Sequence, residues 1–321
     1  MQKSAVERPK NPWEEDAYKK KYPFEYLKYE VDRKEKIATV TLTNPAGTDT
    51  APAWFCYPGI SLIRRWERDD DVKVVIIKSA GKNFCTGLDL GEHLETALKE
   101  QAEGGRVHLA NRELVFMARD LFRFYAKLLG SAKPTIAQVH GKCANAGLTL
   151  QRVCDMTVAS NDALFGEDFE RASGNLTAGW RNMMNPGGYN PFGKLSYEMG
   201  VLGRTFSAKE MAELGAINRV VPREKLDKEV WKEAKKIASF SIPELMKHKL
   251  DFSREQIGSG ALIPNKSAIA MITIRHEPGE FSFFRILRQQ SVSEATRQRK
   301  AIYGPLGGFG KDAEVERVAK K

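Results

Sequence analysis

The chain has 321 residues, 42% of them hydrophobic and 9% aromatic, enough for one large domain or one domain with a helical appendage. Its 51 Lys and Arg exceed its 41 Asp and Glu, for a net charge of +10. Such a balance suits an anionic partner (a phosphate-bearing cofactor, RNA or a membrane surface), or it serves general solubility, because the basic residues are scattered among acids. Cys56, Cys85, Cys143 and Cys154 form no C-x-x-C pair, and the five histidines stand at no metal-ligand spacing, which argues against structural zinc and for buried free thiols in a reducing compartment. The first thirty residues contain no apolar core of secretory-signal length, and no stretch approaches the roughly 18 apolar residues of a membrane span. A cytoplasmic protein is expected.

Residues 1–25 read as a polar and aromatic extension lying on a surface. KIATVTL, Lys36–Leu42, is a strand by its β-branched alternation. The loop NPAGTDTAP follows, then WFCYPGISLIRRWERDDD, amphipathic at helical spacing with Pro58 near its start. VKVVIIK, Val72–Lys78, is a continuous apolar run, as in a strand buried on both faces. TIAQV (Thr135–Val139) and DMTVAS (Asp155–Ser160) repeat that signature more weakly. Strands separated by helices imply parallel crossovers and an α/β sheet.

From about residue 193 the pattern turns helical. FGKLSYEMGVLG reads as a helix ending at Gly203, and Ser207 to Glu210 is a capping box opening a helix closed by Gly215. INRVV is a short strand, EKLDKEVWKEAKKIASF a charged amphipathic helix, and Ser241 to Glu244 a second capping box with Pro243 in the first turn. Residues from about 264 to 300 read as mostly helical, followed by a basic tail.

Two strand-to-helix turns carry the chemistry. SAGKNFCTGLDL follows the Val72–Lys78 strand, and HGKCANAGLTL follows Thr135–Val139. Each places small residues where a backbone must come close to a ligand. If the strands are parallel neighbours, both turns lie at one sheet edge. Their N–H groups can then meet on one oxygen, helped by the positive end of a helix from about Ala146. Two ordinary strand-to-helix turns are the alternative.

Three ordered motifs, VKVVIIKSAGKNFCTGLDL, KPTIAQVHGKCANAGLTLQRVCDMTVASNDALFG and GRTFSAKEMAELGAINRVV, closely resemble the crotonase (enoyl-CoA hydratase/isomerase) superfamily over roughly residues 30 to 260. The resemblance implies an α/β spiral of ββα units, a helical C-terminal trimerisation region and an acyl-CoA thioester substrate. No prosthetic group is implied, and coenzyme A enters as part of the substrate. The divisions it suggests are an N-terminal extension at 1–25, a crotonase core at 26–205, a helical region at 206–300 and a basic tail at 301–321. The family's oxyanion-hole amides fall on Leu88, after Gly87, and on Ala146, before Gly147. Such a hole holds the thioester carbonyl and stabilises an enolate.

The sequence departs from the family where acids are usual. The hydratase glutamate after the second turn is replaced by Thr149, and the one three residues beyond Phe165-Gly166 by Phe169. The Asp of dienoyl-CoA isomerases falls near Thr177, and Asn145 and Ala146 replace two of the usual glycines. Glu167 and Asp168 lie one or two residues before the missing glutamate. Either becomes the acid/base if the loop shifts, since an apolar lining of Leu148, Phe165 and Phe169 raises a carboxyl pKa; otherwise both are solvated strand-end acids, with Glu170 the weaker third candidate. Thr149 is at most a group that orients water or substrate. His140 reads as a satisfied core histidine and Asp89 as structural.

Trp180 and Tyr189 are candidate walls of an acyl pocket, and Lys82 a candidate CoA contact, with Arg285 and Arg288 candidates for a neighbouring subunit's CoA. The implied function is an enzyme that stabilises an enolate of an acyl-CoA thioester, with hydratase/isomerase-like lyase or isomerase chemistry the default. Hydrolysis of a C–C bond in a ring or β-diketone is an alternative. A non-catalytic CoA- or RNA-binding homologue is another, although no RNA-recognition motif is present. A homotrimer or homohexamer is expected, with no membrane partner.

Overall fold

The protein is described from a computed structural model covering residues 26–43, 49–52, 55–89, 120–166, 198–199, 203–258, 294 and 297. The expectations on Glu167, Asp168, Phe169, Glu170, Thr177, Trp180, Tyr189, Arg285 and Arg288, and on the stretches 1–25 and 301–321, lie outside the described residues.

Strands β1 (Leu27–Asp32), β2 (Ile37–Leu42), β3 (Val74–Ser79), β4 (Thr135–Val139), β6 (Met156–Ser160) and β9 (Arg219–Val221) form a six-stranded sheet in the order β1-β2-β3-β4-β6-β9. Only the β1–β2 pair is antiparallel. A smaller sheet joins β5 (Lys142–Ala144), β7 (Leu164–Gly166) and β8 (Phe206–Ser207). Strand β1 follows at once on the stretch read as an extension and pairs with β2 from Leu27↔Leu42 to Asp32↔Ile37. β3 begins at Val74 rather than Val72, because the Val72 amide closes a turn on the Asp69 carbonyl at 3.0 Å.

The continuous apolar run of β3 has the cause its composition suggests. Val75 and Ile77 face one core, with Ile63 and Trp66 of helix α1 (Cys56–Glu67), Phe124, Tyr125 and Leu128 of α2 (Phe122–Leu129), and Leu148 of α3 (Ala146–Arg152). Val74 and Ile76 face the other core, against Leu226, Val230 and Ala234 of α5 (Leu226–Ala238). Successive side chains of a strand point to opposite faces, so both faces are covered only if every residue is apolar. The expected capping boxes are formed. Ser207 and Glu210 bond reciprocally at the start of α4 (Ala208–Glu213), and Ser241 and Glu244 do so ahead of α6 (Ile242–Gly258). No helix among the described residues is long and apolar enough to cross a membrane.

Because β2, β3 and β4 are parallel neighbours, their C-terminal ends share one edge. The 79–88 turn and the 141–146 turn both leave from it. Helix α2 leads into the start of β4, and α3 into the start of β6, so both helices begin near that edge and run away from it.

Candidate active site

The two turns are interlocked. Cys85 and Cys143 form an isolated parallel bridge, with Ala144 N donating to Cys85 O at 2.9 Å and Cys85 N to Lys142 O at 3.2 Å. Asn83 adds a side-chain tie: its Oδ1 accepts from Lys142 N at 2.8 Å, while Asp49 holds its Nδ2 at 2.9 Å. The spacing is set by Gly147, where a Cβ would lie 2.3 Å from the Cys85 carbonyl oxygen. Gly87, at φ +126°, lies against Asn145, whose Cβ would stand 3.2 Å from a Cβ placed on it.

Asn145 completes the arrangement in a backbone state unusual for its side chain, φ 50° and ψ −116°. That is the geometry of the first central residue of a type II′ turn, which favours glycine. Its Nδ2 donates to the Thr86 carbonyl at 3.1 Å and its amide to Gly166 O at 3.3 Å. The reversal at Asn145 starts α3, whose first described intrahelical bond is Thr149 N to Asn145 O at 3.2 Å. The amides before Thr149 are therefore the orphan donors of a helix N-terminus.

The Leu88 stretch is paired on one side only. Ala51 N donates to Gly87 O at 2.7 Å and Asp89 N to Ala51 O at 2.8 Å. Strand alternation then turns the intervening Leu88 amide to the opposite side. Among the described residues neither the Leu88 N–H nor the Ala146 N–H has an acceptor. Two adjacent turns thus each present one unsatisfied amide, the element an oxyanion requires.

The remaining predicted residues sort by environment. Thr149 is 3% exposed, and its hydroxyl turns back to Asn145 O at 3.4 Å, the helix back-bonding typical of threonine. Its Oγ1 is thereby committed within the helix, and no carboxylate replaces the family's glutamate at that position. Leu148 and Phe165 are core residues. Lys82 is exposed on the first turn. His140 is buried, its Nε2 2.9 Å from Gly81 O, and burial depresses its pKa, as a satisfied core histidine requires. Burial raises every cysteine thiol, Cys85 to about 11 and Cys154 to about 12, which makes them poor nucleophiles. No group of three or more His, Cys, Asp or Glu among the described residues is arranged to hold a metal.

Three polar residues of this edge carry no sequence motif. Tyr125 on α2 is fully buried and donates its hydroxyl to the Ala146 carbonyl at 3.1 Å. Asp120, 9% exposed, precedes α2 and accepts from the hydroxyl of Tyr57 on α1 at 2.8 Å. The one available signal is an acid preceding the apolar helix LFRFYAKLL.

The family model described as Enoyl-CoA hydratase/isomerase matches residues 32–256. The chain belongs to the enoyl-CoA hydratase/isomerase family, within the crotonase superfamily. EchA13 of Mycobacterium tuberculosis (strain ATCC 25618 / H37Rv), which bears an enoyl-CoA hydratase name, is 29% identical over 226 residues, 67% of this chain and 69% of that protein. The mevalonyl-coenzyme A hydratase SIDH of Beauveria bassiana (strain ARSEF 2860) is 30% identical over 188 residues, 58% of this chain and 64% of that relative. Among solved structures, an enoyl-CoA hydratase/isomerase from Xanthobacter autotrophicus Py2 superposes with a TM-score of 0.69 at 25% identity, covering 87% of this chain and 98% of that one. The family supports a crotonase-like activity on acyl-CoA, which agrees with the paired amides.

Proposed function

We propose that the chain binds an acyl-CoA thioester with its carbonyl oxygen between the Leu88 and Ala146 amides and stabilises the enolate formed there. The observation that carries this reading is the pair of acceptor-free amides on turns tied together at Cys85, Cys143, Asn145 and Gly147. Fixed donors of this kind contribute because they need no reorganisation as charge develops on oxygen. Hydration or double-bond isomerisation is the reaction favoured, with Glu167 or Asp168 as an acid/base, Phe169, Trp180 and Tyr189 against the acyl group, and Lys82 toward the CoA phosphates. Hydrolysis of a C–C bond is the second reading. It is favoured by Thr149, which puts a committed hydroxyl where a hydratase holds a carboxylate.

The test is α-proton exchange. Butyryl-CoA in D2O reports enolate formation with no commitment to a later step, and crotonyl-CoA reports hydration. Exchange with butyryl-CoA and turnover of crotonyl-CoA are expected. Neither reaction, together with nanomolar RNA binding at physiological salt and a steep salt slope, would reverse the reading in favour of a nucleic-acid-binding homologue.

The same reading includes assembly as a homotrimer or a dimer of trimers. Phe240, in the bend between α5 and α6, and Leu250, on α6, are 55% and 48% exposed, and the sequence beyond them carries the apolar runs AIAMITI and FSFFRIL. Sedimentation at micromolar concentration is expected to give three or six copies; a stable monomer sinks this part.

A further inference from the structure

We infer that Tyr125 is a positioning residue of the donor pair: together with Thr149, it fixes the two peptide planes that meet at Ala146 and so aims the Ala146 N–H. The inference rests on the enolate reading above and deepens it.

The direction of an N–H is a property of its peptide plane. The Ala146 N–H shares its plane with the Asn145 carbonyl, to which it is antiparallel in a trans peptide. That carbonyl accepts twice, from Thr149 N at 3.2 Å and from Thr149 Oγ1 at 3.4 Å. The next plane carries the Ala146 carbonyl, which accepts from the Tyr125 hydroxyl at 3.1 Å. The plane before is held by Asn145 N, which donates to Gly166 O at 3.3 Å. Three consecutive planes are thus anchored, while the Ala146 N–H has no acceptor among the described residues.

Anchoring is needed at this place. Asn145 stands at φ 50° and ψ −116°, a state that carries strain. Turning the plane between Asn145 and Ala146 relieves it, because Asn145 ψ and Ala146 φ are the two hinges of that plane. The same rotation swings the Ala146 N–H out of line. The two bonds at Asn145 O oppose the rotation directly, and the Tyr125 bond holds the plane beyond. Donors on a carbonyl also polarise the peptide, which strengthens its N–H as a donor. Where the family carries a glutamate, the Thr149 hydroxyl therefore serves the peptide of the donor itself.

Tyr125 is built to keep its place. Its ring is fully buried, with its centroid 5.2 Å from that of Phe124 and 6.5 Å from that of Phe55. It belongs to α2, so its anchor comes from outside the turn and does not move with α3. Burial raises the pKa of the phenol, which keeps on its oxygen the proton that it donates. The ring alone would fill the space between the helices; the hydroxyl adds the bond to Ala146 O.

The experiment uses the full chain with butyryl-CoA carrying a heavy carbon isotope at the thioester carbonyl. Difference infrared spectra give the carbonyl band of the bound ligand, and α-proton exchange in D2O gives the rate at saturation. The parent is expected to lower the band below that of free butyryl-CoA. Tyr125→Phe should move the band back toward the free position and slow exchange ~10-fold, with affinity changed by about twofold or less. Thr149→Val should act in the same direction, and Thr149→Ser, which keeps the hydroxyl, should preserve both readings. Added to Ala146→Pro, Tyr125→Phe should slow exchange no further, since its effect runs through an N–H already removed. An unmoved band in folded Tyr125→Phe overturns the inference and leaves the donor reading intact. So does a further ~10-fold loss in the Ala146→Pro background, which a merely structural hydroxyl would produce. If Tyr125→Phe does not fold, an unmoved band in Thr149→Val overturns it. Absence of a band shift and of exchange in the parent chain overturns the donor reading itself, and this inference with it.

Discussion

Asn145 Nδ2 donates to the Thr86 carbonyl at 3.1 Å from a backbone held at φ 50° and ψ −116°. One residue thus closes the second turn and clamps the first to it. The conformation is one that glycine adopts freely and other residues adopt at a cost of about 1–3 kcal/mol. The clamp and the strain can be separated by substitution. Asn145→Gly relieves the strain and loses a bond worth about 1 kcal/mol, so its stability should stay within about 2 kcal/mol of the parent. Asn145→Ala keeps the strain and loses the bond, so it should be the less stable variant by about 1–3 kcal/mol. Both should lower kcat roughly tenfold or more, because the Leu88 and Ala146 amides are no longer held in register. Urea unfolding beside steady-state kinetics checks this. An Asn145→Ala variant as stable as Asn145→Gly would refute the conformational part.

Much of this was legible in the sequence. The apolar VVII run gave a strand covered on both faces, and β3 divides its side chains between the two cores. Ser207 and Glu210 announced a capping box from spacing alone. Small residues at 144, 146 and 147 mark the turn that closes on Cys85, because close approach restricts side-chain size whatever the surrounding sequence. The clamp was not legible. Asn145 read as a lost glycine, since nothing local reveals that its amide reaches Thr86. Asp120 and Tyr125 escaped for the same reason, as their partners Tyr57 and Ala146 stand 63 and 21 residues away in sequence. Strand β1 carries no clear signal in the sequence, because LKYEVD mixes charged with apolar residues, as a strand at the edge of a sheet does.

Gly147 admits no side chain. A Cβ there would sit 2.3 Å from the Cys85 carbonyl oxygen and 2.7 Å from its Cβ, and a paired backbone cannot move aside as a flexible side chain would. Gly147→Ala should therefore push the turns apart, costing about 1–3 kcal/mol as an overpacked site does. Catalysis should fall at least as sharply, since the Cys85–Cys143 bridge sets the separation of the donors. Differential scanning calorimetry with butyryl-CoA exchange tests both halves. Wild-type exchange in the Ala variant would mean that the bridge does not set donor spacing.

His140 predicts a pH dependence of stability. Burial is the main cause of its depressed pKa, opposed by the contact with Gly81 O. The unfolded chain therefore binds a proton more readily than the folded one. This histidine's contribution is fully present above the unfolded value of about 6.5 and is lost as pH falls from there toward the depressed folded value. The urea midpoint of the parent should drop between pH 7.5 and pH 5.5. His140→Gln keeps an amide donor for Gly81 O and removes the titration, so its drop over that range should be smaller. Equal slopes for the two proteins would assign the acid sensitivity to other groups.

The amide of Ala146 is the group the proposed chemistry can least do without, and its position allows it to be removed cleanly. Ala146 is the first residue of α3, and its N–H is outside the intrahelical ladder. Proline is well tolerated at a first helical position, where it removes only a donor the helix does not use. The cost falls on Asn145, because the residue before proline is itself restricted, and this must be separated from the effect on chemistry. A thermal unfolding curve for Ala146→Pro gives that correction. With the fold intact, the loss of one oxyanion donor should lower exchange and turnover by ~100-fold or more. Binding of butyryl-CoA should weaken far less, because the donor acts mainly on charge that develops during enolate formation. A folded Ala146→Pro that exchanges at the parent rate would remove Ala146 from the site and leave Leu88 as the one amide to be tested.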